Sequence, residues 1–168
     1  MRLILVFLLL LMSGCGYKPS SKYARSIVGE KVSTSITISA QDPENTVIIK
    51  DAVDLAVIEV FRASLTDKAY SDTHLNLSIS PPTYTALQYD KDGFIIAYRA
   101  TIVLAIARES KESKKNYIAT GTYDFSVVPN AVITDQERFD AIRYSSIKAI
   151  ASFVAQVSAE GSRLNTKE

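Results

Sequence analysis

The sequence predicts an α+β fold: a two-layer sandwich in which two helices pack on one face of a four-stranded mixed sheet. Three observations predict it. Four stretches alternate apolar and polar residues with a period of two, as half-buried strands do. Two longer stretches spread apolar residues over one broad side, as helices lying on a sheet do. The order of these stretches along the chain is β-α-β-β-β-α, with no internal repeat.

Residues 32–40 form the first strand, with Val32, Thr34, Ile36 and Ile38 on one face and Ser33, Ser35, Thr37 and Ser39 on the other. Asp42-Pro43 stops it and starts a helix, because Asp can cap and Pro suits the first helical position. That helix covers residues 44–64, with Ile48, Ala52, Leu55, Ala56 and Val60 on its apolar side and Lys50, Asp51, Asp54 and Arg62 along its polar stripe. Residues 73–80 alternate again, Leu75, Leu77 and Ile79 against His74, Asn76, Ser78 and Ser80, until Pro81-Pro82 ends the strand. Strand, helix, strand makes a βαβ unit, whose two strands pair directly or flank another.

Residues 84–89 lead into Asp90-Lys91-Asp92-Gly93, a strong turn signal. The strand at residues 94–108 is apolar on both faces, which places it centrally; its one mid-strand charge, Arg99, is assigned to the solvent face. Residues 109–116 are a charged loop, and residues 117–128 return as a strand, so the two make a long hairpin. Thr134 and Glu137 form a capping box. The helix behind it presents Phe139, Ile142, Ile150, Phe153, Val154 and Val157 and runs to Glu160, where Gly161 is expected to stop it. The open sheet face, with Ser33, Ser35, Asn76, Ser78 and Arg99, is expected to meet water or a partner.

Ahead of this domain, Met1-Arg2 and the apolar run 3–12 have the layout of a secretory signal. The run is too short to cross a hydrocarbon core, which takes about 20 residues. Leu11-Met12-Ser13-Gly14-Cys15 resembles a bacterial lipobox, and that resemblance implies cleavage before Cys15 and acylation of its sulfur and nitrogen. The expected organisation is a signal peptide at 1–14, lipidated Cys15 with a tether at 15–31, the sandwich at 32–161 and a polar tail at 162–168. A second possibility for the tether is that residues 23–28 pack on the domain.

Cleavage leaves 154 residues with 18 basic and 18 acidic side chains, and no cysteine after Cys15. The exported domain must therefore hold together by packing alone. Zero net charge gives no large field to draw the chain to DNA or to anionic lipid, and nucleic acid is not expected as a partner. A hydrophobic content of 47% excludes a largely disordered chain.

Catalytic signals are poor. The single histidine, His74, lies on the polar side of a strand outside any metal-spacing motif and reads as exposed. There is no phosphate-cradling glycine loop, serine elbow or Cys-His pair. Asp51 with Asp54 and Asp90 with Asp92 are neighbours without the companions that an acid/base pair or a metal needs. No cofactor, metal or enzymatic activity is expected. Lys111, Lys114 and Lys115 form the densest basic cluster, either a solubilising loop or a phosphate contact. Tyr84, Tyr89, Tyr98, Tyr117 and Tyr123 concentrate in the middle of the sheet segment, which suits either a protein-contacting face or sheet packing.

The Cys15-Gly16-Tyr17 start, the Asp90-Lys91-Asp92-Gly93 turn before the long strand, and the entry into the last helix through Pro129-Asn130 and Asp135-Gln136-Glu137-Arg138-Phe139 resemble the LptE family of lipopolysaccharide-assembly lipoproteins. The resemblance implies a plug inside the outer-membrane β-barrel LptD and contact with lipopolysaccharide through basic loop residues. Lys91 sits at a comparable turn, and Lys111, Lys114 and Lys115 are further candidates; the loop at 129–134 has no Lys or Arg. Gly16 after the acylated cysteine fits delivery to the outer membrane. Two other readings stay open: a lipoprotein that docks on and regulates a cell-wall synthase, and a periplasmic hydrolase using His74 or a carboxylate.

Overall fold

The computed structural model describes residues 20–37, 43–59, 61–111 and 113–165. The signal-peptide reading and Cys15 lie outside the described residues. The elements are α1 (Ser20–Val28), β1 (Lys31–Ile36), α2 (Pro43–Glu59), β2 (Ser64–Leu65), a 3-10 turn (Lys68–Tyr70), β3 (Thr73–Ile79), β4 (Thr83–Tyr89), β5 (Ile95–Ser110), β6 (Lys114–Ser126) and α3 (Asp135–Asn165).

The sheet is mixed and has six strands, not four. β1 pairs in parallel with both β2 and β3, so the strands of the βαβ unit are direct neighbours. β5 pairs antiparallel with β6 along one edge. Its other edge is shared: β4 takes Ile95 to Thr101 and β3 takes Leu104 to Ser110. The two unexpected strands have physical reasons. β2 is two residues long, below the length at which alternation can be read. β4 is mostly exposed on both sides and carries register shifts at Ala86, Gln88 and Tyr89, so no clean apolar face marks it.

The core lies between the sheet and α2 and α3. From the sheet come Val32, Leu75, Leu77, Ile102, Leu104 and Ile106; from the helices, Ile49, Val53, Val57, Ile142, Ile150, Phe153 and Val157. Phe153 meets Phe61 and Tyr117 edge-on, at ring separations of 6.0 and 5.3 Å. The buried stripe of α2 is Ile49-Val53-Val57, at i, i+4 and i+8. Leu55, expected on the apolar side, is 53% exposed. Apolar residues stand on more than one side of α2, and such a pattern does not fix which stripe goes inward. Its Lys50 pairs with Asp54, which also accepts a hydrogen bond from the Thr34 hydroxyl of β1.

Two expectations at the chain ends change. Residues 20–28 of the segment read as a tether form a helix packed on α3, with Val28 fully buried. Gly29 ends that helix in the left-handed region, φ +84°, and its N–H donates to the Arg25 carbonyl. The Asp72 carboxylate then accepts from the backbone N–H of Glu30 and Lys31. Gly161 does not stop the last helix, which continues to Asn165. Gly161 is a contact residue: a Cβ there would stand 2.1 Å from the Tyr23 carbonyl oxygen of α1.

Gly121 of β6 works the same way. A Cβ there would lie 1.9 Å from the Ser145 carbonyl oxygen and 2.3 Å from the Ala149 amide of α3. The helix presents the small buried stripe Ala141, Ser145, Ala149 to this position. Gly121→Ala forces helix and strand apart and should cost about 1–3 kcal/mol, the range for overpacking a tight interface. Urea denaturation of the purified domain measures it, and an unchanged midpoint would contradict the close approach.

Candidate functional site

The four candidate lysines lie at the two ends of β5, one in the turn before it and three around the β5–β6 turn. Lys91 lies in the exposed turn between β4 and β5. Asp90 builds that turn: its side-chain Oδ1 accepts from the N–H of Asp92 and Phe94, and its own N–H donates to the Phe94 carbonyl. Around Lys91 stand exposed Leu87, Tyr89 and Phe94, and the loop beyond β6 adds Val128 and Val132. The Val127 N–H donates to the Ile96 carbonyl and so holds that loop at this end. The result is an apolar tip with one lysine in its turn.

Lys111, Lys114 and Lys115 lie at the other end. β5, at about 3.3 Å per residue, puts roughly 50 Å between the two ends, so Lys91 is not brought together with the other three. Lys114 pairs with Glu109 at 2.5 Å and Lys115 with Glu160 at 2.8 Å. Lys115 also stands 5.4 Å from the centre of the Tyr117 ring.

Beneath this basic end sits a group that the sequence reading missed. Arg108 is 5% exposed on the helix-covered side of β5. Its Nη1 donates to the Ile27 carbonyl of α1 at 2.8 Å, and its Nη2 reaches Ser113 Oγ at 3.3 Å and Glu160 Oε1 at 3.4 Å. Glu160 Oε2 accepts from Lys115 and from the Tyr117 hydroxyl. Burial pushes the Glu160 carboxyl up, but the Lys115 and Tyr117 hydrogen bonds and the Arg108 charge outweigh it and hold the group below its ordinary range. Burial and Glu160 together raise the Tyr117 hydroxyl far above its usual range. A signal for both residues was present: Arg108 continues the even-numbered alternation of Ile102, Leu104 and Ile106, and Glu160 follows Phe153 and Val157 at helical spacing.

His74 is not exposed on its strand. It is buried beside the 3-10 turn, with Nδ1 2.8 Å from Ser33 Oγ and Nε2 3.0 Å from Ser35 Oγ. The Ser33 hydroxyl donates to Ser71 Oγ. Alternation in β3 could not reveal this, because the cover comes from residues 68–71. Burial holds the imidazole below its usual range, Lys68 adds to this, and Glu109 opposes it. Both ring nitrogens face serine hydroxyls, and among the described residues no carboxylate hydrogen-bonds to the ring. Among the described residues no group of His, Cys, Asp and Glu could hold a metal ion.

Arg99 does reach the solvent face, where Nε and Nη2 clasp both oxygens of Asp124 at 2.7 and 2.8 Å. The capping box forms as expected, with the Glu137 N–H donating to Thr134 Oγ1 and the Thr134 N–H to the Glu137 carboxylate. Most of the tyrosines serve packing: Tyr84, Tyr98 and Tyr123 gather round Phe125, and Tyr117 packs on Phe153, while Tyr89 is 58% exposed at the tip.

This fold is one found among small bacterial lipoproteins. The rare lipoprotein B of Shewanella oneidensis is similar over 82% of this chain and 99% of its own, with a TM-score of 0.54 and 16% identity. A minor lipoprotein of Acinetobacter baumannii is similar over 78% of this chain and 94% of its own, with a TM-score of 0.50 and 13% identity. The chain belongs to the LptE lipopolysaccharide-assembly family, whose sequence pattern matches residues 33–157, and this makes it a lipoprotein related to lipopolysaccharide transport. No curated protein sequence matches the chain. Among the described residues no helix is long and apolar enough to cross a membrane.

Two outcomes test the buried groups. Arg108→Met removes the donor to α1 and one of the three partners of Glu160, which keeps Lys115 and Tyr117; a loss of about 1–3 kcal/mol is expected, the range for a buried acceptor left unpaired, with hydrogen exchange rising first in α1. Burial lowers the His74 imidazole in the fold, so the stability it contributes is full above the unfolded value of 6.5 and is lost as pH falls below it. Urea midpoints should therefore drop between pH 7.5 and 5.5, and His74→Gln should flatten that drop.

Proposed function

We propose that the chain is an outer-membrane lipoprotein, acylated at Cys15 and facing the periplasm, that serves as plug and assembly factor of the β-barrel LptD while lipopolysaccharide moves to the cell surface. The family match carries this reading, because it spans the sheet and most of both large helices. The surface supports it. Val47, Leu55 and Ile58 stand exposed on α2, and Tyr89, Phe94, Val128 and Val132 stand exposed at the tip. Apolar side chains gathered in this way mark surfaces that meet another protein.

The role is non-catalytic: shape and adhesion do the work. One lipopolysaccharide headgroup cannot touch both ends of the hairpin. Lys91, in the apolar tip, is the lysine placed to meet its phosphates inside a barrel, while Lys111, Lys114 and Lys115 belong to the opposite end.

A tagged full-length chain should co-purify with LptD, and depletion should lower surface lipopolysaccharide several-fold in intact cells. Lys91→Glu should weaken lipopolysaccharide capture and leave LptD bound. Recovery of the chain as a monomer free of any barrel, with surface lipopolysaccharide unchanged on depletion, would refute the proposal.

A further inference from the structure

His74 and the polar side chains around it form a cluster that the plug role does not use. Ser33 and Ser35 of β1 stand beside His74 and Asn76 of β3 in register, and Ser71 closes over them from the end of the 3-10 turn.

A count of hydrogens fixes the neutral form of the ring. A hydroxyl has one hydrogen to give, and a carbonyl only accepts. The Ser71 hydroxyl gives its hydrogen to the Lys68 carbonyl at 3.0 Å. The Ser33 hydroxyl gives its own to Ser71 Oγ at 2.9 Å. Ser33 Oγ lies 2.8 Å from Nδ1 and has nothing left to donate, so Nδ1 carries the ring hydrogen and donates to it. Nε2 is then bare, and Ser35, 3.0 Å away, supplies it with a hydrogen. Ser35 has a second neighbour: Asn76 Oδ1 lies 3.2 Å away, on an exposed residue.

A proton taken up by the ring lands on Nε2. Ser35 Oγ then accepts from Nε2–H, and its own hydrogen passes to Asn76 Oδ1. Every group in the chain stays paired. When the ring is neutral, the Ser35 hydrogen is spent on Nε2, and Ser35 Oγ can only accept from Asn76, through Nδ2. The amide therefore turns over between the two states. Two charges face the ring. Lys68 of the 3-10 turn opposes its protonation, and Glu109, opposite His74 on β5, favours it. Glu109 is itself shared between Lys68 at 3.8 Å and Lys114 of β6 at 2.5 Å. β1 brings only hydroxyls to the ring.

We infer that His74 is a proton-operated switch, in which the Ser35 hydroxyl turns from the ring to Asn76 and the open sheet face exchanges an amide acceptor for an amide donor. Acidification also adds one positive charge behind that face, so it favours an anionic or acceptor-rich partner surface in acid and a donor-rich one at neutral pH. The switch goes beyond the plug role and stands independently of it.

The test is nitrogen NMR of the full-length chain in detergent, prepared without a histidine tag. The chain has one histidine, so its ring signals are unambiguous. At pH 8 Nδ1 should be protonated and Nε2 bare. As pH falls, both should become protonated, and the Asn76 side-chain amide should shift with the same midpoint. Ser35→Ala should move the midpoint to still lower pH, because the charged ring loses an acceptor, and should leave the Asn76 amide unmoved. Ser35→Thr, which keeps the hydroxyl, should restore both. A neutral ring protonated on Nε2 would overturn the inference. So would an Asn76 amide that ignores the ring, or one that follows it equally in Ser35→Ala.

Discussion

Arg108 ties four elements together, and the arrangement of the molecule's basic end follows from it. A guanidinium that is 5% exposed must find acceptors, because an unpaired buried charge is far more costly than a paired one. It finds the end of α1 through the Ile27 carbonyl, the hairpin turn through Ser113, and α3 through Glu160. Glu160 then engages Lys115 and Tyr117 of β6. A short N-terminal helix of nine residues has little stability of its own. Docked on this cluster and on Gly161, it becomes part of the domain.

Two glycines set the second constraint. Gly121 of β6 lies under the middle of α3 and Gly161 lies within α3 itself, near its end, and each lets a backbone approach to a distance that any side chain would forbid. α3 is thereby pressed onto β6 at one point and onto α1 at another. The long helix holds β5, β6 and α1 in fixed relation.

Much of this was readable in the residues. The alternation marks β1, β3, β5 and β6 as strands, although β5 runs to Ser110 and β6 begins at Lys114, inside the stretch read as a charged loop; the Asp90 turn and the Thr134–Glu137 box appear where their patterns put them, because each rests on local chemistry. What could not be read depends on partners distant in sequence. Gly161 looks like a helix stop until α1 lies across it. His74 looks solvent-facing until the 3-10 turn covers it. Leu55 and Val53 are alike as residues, and only the sheet decides that Val53 goes inward. The candidate lysines were legible as a cluster, but their separation from Lys91 was fixed by the length of β5.

The sheet's free margins bear on self-association. An unpaired strand edge is a template for another chain, and natural sheets blunt their edges with short strands, bulges and lysines. Here one outer strand, β2, is only two residues long, and β4 is broken by shifts in register. β6 is the long margin. It begins with Lys114 and Lys115, and its Ile118 carbonyl accepts a hydrogen bond from the Gln156 side chain of α3. Short length at β2, register shifts at β4 and lysines at the start of β6 thus blunt these margins against strand-on-strand pairing between copies.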